Sequence, residues 1–546
     1  MTRKYGAAFL TALAAGSLAP ATAATAAETP ASADAARRCT SLARLRLADT
    51  TIESAALVPA KAAELGIAGD KPGYRSFCRV VARVRSAPDS DIGVEIWLPT
   101  ERWAGVFHGN GNGGFAGVLA GGYSGMVDGL RRGFATATTD AGTAPASPLE
   151  GEALIDQPRK WRDWGRLSTH VMTITGKAIT KAFYGRDARR SFYTGCSTGG
   201  QQGLIESLYY PEDYDGILVG APVINRTWGH GAVLWDYAAA HRTPDSLLSD
   251  AKLKLLNRAA VAACWRQGHG LAGDRFVSDP LNCKFDPGVL QCKGAASNAC
   301  LTEAEVATAR AFYSGPTNRA GKANYFGWLP GSEMPDTFGW SFLQKPIRDQ
   351  PPFGALFKWV FGADWDWKGF DFDRDMPTVD ARLDPIVNDA TRGSLADFAA
   401  RGGKLIIFHG LADTLVAPGQ SIAFYDRQAA AVGGDHRLAE SARLFLAPGM
   451  MHCGGGTGPD SFNATLGIPP QPPGYDAEHD LFSALIEWAD GGDAPDQVIA
   501  TKFAGDDAGR IDMQRPLCAY PRKAEYRGWG STLSASSFRC VAPDDR

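Results

Sequence analysis

The sequence predicts an α/β fold with a mostly parallel sheet, divided by a long insertion. Three observations carry this. Strand-like apolar runs alternate with helical patterns up to about residue 223 and again from residue 393. Between these stretches the alternation stops, and residues 224–392 hold four of the ten cysteines and eight of the fourteen tryptophans. Several of the strand-like runs end in glycine-rich turns of the kind that connect a strand to a helix.

The elements follow in order. Arg3 and Lys4, the apolar run 7–19 and the small-residue sites Ala21-Thr22-Ala23 and Ala24-Thr25-Ala26 read as a signal peptide over 1–26, with 28–35 as a disordered lead-in. The first part of the core is expected over 36–223. Within it Phe77, Val80, Ala82 and Val84, then Val94, Ile96 and Leu98, recur as in strands. Residues 104–108 and 134–138 are further strand candidates. Val171, Ile174, Ala178 and Ala182 have helical spacing within 167–184. Residues 191–194 read as a strand, 200–208 as a helix and 217–220 as a strand. The stretch 224–392 is expected to be an inserted, disulfide-stapled second domain. The core resumes over 393–546 with a helix at 395–400, strands at 404–409 and 444–446, and an amphipathic helix at 481–490.

Composition limits the function. At 546 residues and 45% apolar, the chain is too long for one simple core. Its net charge of −3 lacks the basic excess of a general nucleic-acid binder. With 21% charged and 10% aromatic residues it is far from a disordered composition. No run after residue 19 approaches the roughly 20 apolar residues of a membrane span. Ten cysteines in an exported chain suggest five disulfides, and the absence of paired C-x-x-C motifs argues against zinc. Loop length makes 39–78, 264–283, 292–300 and 518–540 plausible, which leaves Cys196 and Cys453; the sequence alone does not fix the connectivity.

Gly195-Cys196-Ser197-Thr198-Gly199 matches G-x-S-x-G between a strand and a helix. A serine on such a turn is forced outward, with helix amides behind it that favour developing negative charge. A serine hydroxyl needs a base oriented by an acid. Asp413 follows the strand that ends at His409-Gly410, and His452 follows the strand at 444–446 on a glycine loop. The order Ser197, Asp413, His452 is that of α/β-hydrolase triads. Asn110-Gly111-Asn112-Gly113-Gly114-Phe115 ends an early strand and can offer an amide to an oxyanion, with Gly114 as one donor and Thr198 as the other. Its spacing is not that of a dinucleotide loop. His108 and His409 either orient loops near the site or satisfy backbone groups. A Cys196–Cys453 bridge would hold Ser197 and His452 in register.

These residues resemble the tannase and feruloyl esterase family, which includes mono(2-hydroxyethyl) terephthalate hydrolases. Tyr210-Pro211-Glu212-Asp213-Tyr214-Asp215-Gly216 and Gly402-Gly403-Lys404-Leu405 are similar to its signatures as well. The resemblance implies an α/β-hydrolase fold with a large inserted lid domain, the Cys196–Cys453 bridge and the four neighbour pairs. It implies a secreted serine esterase acting on small aromatic esters, hydroxycinnamates or galloyl esters of plant cell-wall or tannin origin, with no nucleic-acid partner. Val416, three residues after Asp413, is a candidate pocket residue, and the lid tryptophans suit a flat acyl group. Family members bind calcium on a lid loop rich in aspartates. Here that loop reads Cys264-Trp265-Arg266-Gln267-Gly268-His269-Gly270-Leu271-Ala272-Gly273-Asp274, so the site is expected to be lost or weak and no cofactor to be required. Gln201 stands where the family often has arginine, and Thr143 where it often has histidine. A terephthalate half-ester would need a lid arginine in the pocket, such as Arg348 or Arg374. A peptidase and a non-catalytic surface or carbohydrate binding protein on a hydrolase fold are the competing functions.

Overall fold

A computed structural model describes residues 30–59, 76–335, 338–463, 465, 476–505 and 507–542. The expected signal peptide lies outside the described residues. A helix, Pro30–Ser41, begins inside the segment expected to be a disordered lead-in. Cys39, bridged to Cys78, and the buried Ala35 fasten that helix to the sheet, a tertiary anchor that local composition does not reveal.

Nine strands form the central sheet: β1 (Thr50–Val58), β2 (Phe77–Val84), β3 (Ile92–Pro99), β4 (Val106–Asn110), β5 (Ala135–Thr139), β6 (Arg190–Cys196), β7 (Gly216–Gly220), β8 (Lys404–Gly410) and β9 (Ala442–Ala447). Their spatial order is β1-β2-β3-β5-β4-β6-β7-β8-β9. β1, β2, β3 and β5 pair antiparallel, while β5, β4, β6, β7, β8 and β9 pair parallel. The parallel strands are largely buried on both faces, which is why β7 and β8 read as continuous apolar runs, Ile217-Leu218-Val219 and Leu405-Ile406-Ile407-Phe408, rather than as alternating ones. Alternate residues serve opposite layers. Ile217, Val219, Leu405 and Ile407 pack with Val171, Ile179, Leu204 and Phe424 from helices on one face. Leu218, Ile406 and Phe408 pack with Leu481, Phe482 and Leu485 on the other.

Residues between β7 and β8 add no strand to this sheet among the described residues. They form helices Arg226–Ala240, Asp250–Arg266, Glu303–Ser314 and Phe372–Val387, around two apolar cores, one of them shared with Phe115, Leu154, Trp161 and Trp164 from before β6. Trp340 and Trp359 are fully buried in those cores. After β9, helix Leu481–Ala489 is followed by two hairpins, β10 (Gln497–Ala504) with β11 (Asp507–Cys518) and β12 (Lys523–Tyr526) with β13 (Phe538–Val541). Five disulfides join Cys39–Cys78, Cys196–Cys453, Cys264–Cys283, Cys292–Cys300 and Cys518–Cys540. The loops after β4, β6, β8 and β9 all leave the carboxyl edge of the parallel strands, where open α/β sheets place their ligands.

Candidate active site

The carboxyl edge opens into a cavity of about 480 Å³ lined by Gly113, Gly114, Ser197, Thr198, Val416 and His452, with Phe338, Phe353, Arg226 and His230 from the insertion. Ser197 sits between β6 and the helix Thr198–Tyr209 with φ 62° and ψ −120°. A non-glycine residue in that region is strained, and the surroundings hold it there. Its amide donates to Gly220 of β7 at 3.0 Å. The flanking glycines permit the close approach: a Cβ on Gly195 would lie 2.6 Å from the Gly199 carbonyl oxygen.

Asp413 is buried on the turn after β8. Its Oδ1 accepts the amides of Leu415 at 2.8 Å and Val416 at 3.0 Å. Its Oδ2 faces His452 Nδ1 at 2.8 Å and His409 Nε2 at 3.3 Å. Burial by itself would raise the Asp413 pKa, but attraction to His452 and hydrogen bonds from both histidines hold it well below the usual carboxylate range. His409 thus does more than satisfy the Val416 carbonyl: it buttresses the acid, while its Nδ1 meets Ser421. His108 lies inside the sheet against Thr194 and Phe482, away from the cavity lining, and burial lowers its pKa to about 3. The Cys196–Cys453 bridge joins the residue before Ser197 to the residue after His452, with the two Cα atoms 6.1 Å apart. At rest the Ser197 hydroxyl and the His452 ring share the cavity without a hydrogen bond between them, a contact that substrate often closes.

The glycine loop after β4 is bound to the elbow. The Gly199 amide donates to the Asn112 carbonyl at 2.6 Å, Gln202 Nε2 to Asn112 Oδ1 at 2.9 Å, and Thr198 Oγ1 to the Gly114 carbonyl at 2.8 Å. The amides of Gly114 and Thr198 donate to no described residue. Gly114 has φ +55°, and a Cβ there would lie 1.8 Å from the Pro148 carbonyl oxygen, so only glycine fits. Thr143 supports this loop by donating to the Phe115 carbonyl at 2.6 Å. Gln201 donates to the Val387 carbonyl and accepts from Arg226.

The insertion contributes walls that the sequence did not single out. Phe338 and Phe353 face the cavity, whereas no tryptophan is among its described lining residues. Trp161, Trp164 and Trp359 stack behind Phe115 as core. His230 is buried, and its pKa is lowered to about 3, by burial first and Arg226 second, so it is neutral. Arg348 is largely exposed and pairs with Glu150 at 2.7 Å; Arg374 pairs with Asp375 at 2.6 Å; neither lines the cavity. No helical or charge pattern could have marked Phe338, Phe353 or Arg226, because their proximity arises only when the insertion folds back over the sheet edge.

Two groups of ligand-type side chains bear on metal binding. On the loop after Cys264, Asp274 pairs with Arg515 at 3.0 Å, and Asp279 pairs with Lys523 at 2.6 Å and accepts from Asn282. Protein cations occupy both carboxylates, and this donor set does not fit a calcium cage of six to eight oxygens. His170, Glu206 and Asp213 cluster under the sheet. His170 Nδ1 lies only 2.6 Å from Asp213 Oδ2, a hydrogen bond rather than the separation of about 3.3 Å between two ligands of one tetrahedral ion. Lys177 donates to the Asp213 carbonyl and already supplies a cation there.

A family model described as "Tannase and feruloyl esterase" matches residues 78–541. An uncharacterized esterase of Xanthomonas campestris pv. campestris is 35% identical, over 94% of this chain and 92% of its own length. A probable feruloyl esterase B-2 of Aspergillus terreus is 31% identical, over 85% of this chain and 86% of its own. Among solved structures, feruloyl esterase B from Aspergillus oryzae superposes with a TM-score of 0.81 at 26% identity, covering 93% of this chain and 100% of that one.

Proposed function

The chain belongs to the tannase and feruloyl esterase family and is a carboxylic ester hydrolase of that type; on that premise we propose that it cleaves neutral esters of aromatic acids through a Ser197–His452–Asp413 triad. The observation that carries the reading is the strained Ser197 elbow facing the Asp413-held His452 across one cavity. With Nδ1 committed to Asp413, the other ring nitrogen of His452 is the base. It takes the Ser197 proton as Oγ attacks the ester carbonyl, and it passes that proton to the leaving alcohol. The Thr198 and Gly114 amides receive the oxyanion. Water, activated by the same nitrogen, then releases the acid from Ser197.

Phe338 and Phe353 suit a flat acyl group. The names of the relatives point the same way, toward feruloyl esters. For a terephthalate half-ester, Arg348 and Arg374 are paired elsewhere, so its carboxylate would have to be met by Arg226, the insertion's arginine among the described lining residues. Five disulfides support an oxidising compartment, in keeping with an exported protein, and no helix among the described residues is long and apolar enough to cross a membrane. The Asp274–Arg515 and Asp279–Lys523 pairs support a lid loop that needs no calcium.

The test is a rate panel on wild type and Ser197→Ala with methyl ferulate, methyl gallate, mono(2-hydroxyethyl) terephthalate and a short aliphatic nitrophenyl ester. Preference for one neutral aromatic ester, abolished by Ser197→Ala, is expected. Turnover of the aliphatic ester alone would remove the aryl pocket from the reading, and full activity in Ser197→Ala would remove the triad.

A further inference from the structure

The cavity holds a buried cation without a counter-ion. Arg226 is 2% exposed. Its Nε and Nη2 donate to Gln201 Oε1, and Nη2 also donates to Thr198 Oγ1 at 3.1 Å. Every one of these partners is neutral. No carboxylate pairs with it among the described residues, and the site's own buried carboxylate, Asp413, is engaged by His452 and His409. A buried charge is ordinarily paired, because leaving it unpaired costs several kcal/mol. Arg226 bears a second cost. It is the first residue of helix Arg226–Ala240, the end where the macrodipole disfavours a cation. Burial draws its pKa down only to about 9, so it remains charged at neutral pH.

The face of the Trp164 ring lies 4.2 Å from the guanidinium carbon and partly offsets its charge, but the two helix ends packed against it present the same positive sign. The first turn of its own helix lines the cavity through Arg226, Gly229 and His230. The amino end of helix Thr198–Tyr209 starts at the residue whose hydroxyl it holds. That hydroxyl in turn donates to the Gly114 carbonyl, so one chain of hydrogen bonds links Arg226 to both residues that offer amides to the oxyanion. The negative charge missing from the resting site is the one created when Ser197 attacks.

We propose that Arg226 is a positioning residue for the oxyanion: its buried, unpaired guanidinium fixes Thr198 against Gly114 and supplies a standing positive charge that is neutralised only in the tetrahedral transition state. This rests on the esterase reading above. It differs from a receptor for a charged substrate group, because the compensating anion is made in the reaction rather than brought by the ester.

The experiment compares wild type, Arg226→Met and Arg226→Lys on methyl ferulate, which is neutral, and monomethyl terephthalate, which carries a carboxylate. Arg226→Met is expected to lower kcat on the order of 10- to 100-fold on both esters, with KM changed by less than about threefold. Arg226→Lys, which keeps the charge, is expected to recover most of that loss. The inhibition constant of phenylboronic acid, whose serine adduct is a tetrahedral anion, is expected to rise by the factor by which kcat/KM falls. If Arg226→Met does not fold, Arg226→Gln carries the same comparison. A loss confined to monomethyl terephthalate would overturn the proposal by making Arg226 a substrate-anion receptor. It would also fail if Lys were no better than the neutral variant, or if kcat on both esters stayed within about twofold of wild type. Failure of the esterase reading itself is seen separately, as undiminished activity in Ser197→Ala.

Discussion

Asp413→Asn isolates what the acid does without emptying its site. Oδ1 is fixed by the amides of Leu415 and Val416, so an asparagine keeps its oxygen there and turns its NH₂ toward His452 and His409. Two effects follow. His452 Nδ1 must now accept, which places the ring proton on the nitrogen that should receive the Ser197 proton. The imidazolium formed in the transition state also loses its anion. At 2.8 Å and an effective dielectric constant of 20, that attraction is about 6 kcal/mol, or about four powers of ten in rate. That attraction grows as the Ser197 proton passes to His452, so the loss belongs to kcat and leaves KM nearly unchanged. The assay is steady-state hydrolysis of methyl ferulate, with burst titration by an active-site serine label and a melting curve to establish folding. A folded variant whose kcat falls less than about tenfold, or whose defect lies in KM, would refute the reasoning.

Replacing Gly114 by Ala forces a Cβ against the Pro148 carbonyl in a left-handed backbone, a cost of about 2–5 kcal/mol in stability; denaturant unfolding should register it, and kcat should fall about 10²–10³-fold as the amide moves. The double variant Cys196→Ser, Cys453→Ser frees the elbow from the histidine loop, so activity measured well below the melting temperature should drop by a larger factor than melting alone explains; parallel loss of the two would argue against a registering role. EDTA should leave the melting temperature unchanged, since Arg515 and Lys523 occupy the lid-loop carboxylates; a fall of several degrees reversed by calcium would show a metal there. The folded pKa of Asp413 lies below its unfolded value of about 3.9, so its stabilisation is complete above that pH and is lost as pH falls through the folded value. The melting-temperature advantage of wild type over Asp413→Asn should therefore shrink as pH falls below about 4.

How much of this was legible in the sequence depended on whether a residue's role is set locally. The parallel strands could be read because both faces are buried, so Leu405, Ile406, Ile407 and Phe408 form one apolar run. Ser197, Asp413 and His452 could be picked out because each follows the end of a strand, and a shared edge is a property of the topology. β1, with its mixed burial at the sheet edge, and the β10–β13 hairpins carry no such pattern, and neither was foreseen. The insertion misleads in a more instructive way. Its tryptophans draw attention by composition, yet Trp328, Trp340 and Trp359 are buried in its cores, Trp265 is exposed, and two phenylalanines from separate turns face the cavity instead. A large ring is favourable wherever water is excluded, so aromatic content cannot distinguish core from pocket.

Arg226 presents the opposite case. Nothing in the sequence marks it; only the structure shows that it starts a helix, is buried, and has no anion to offset it. Local preference, burial and pairing ordinarily agree in a folded chain, and a position where all three disagree is one where function is the remaining term. The same reasoning separates Arg226 from Arg348 and Arg374: those two have carboxylate partners and solvent, so their presence in the insertion requires no chemistry. An arginine matters to the reaction here because it is left without an anion, beside the one place where the reaction makes one.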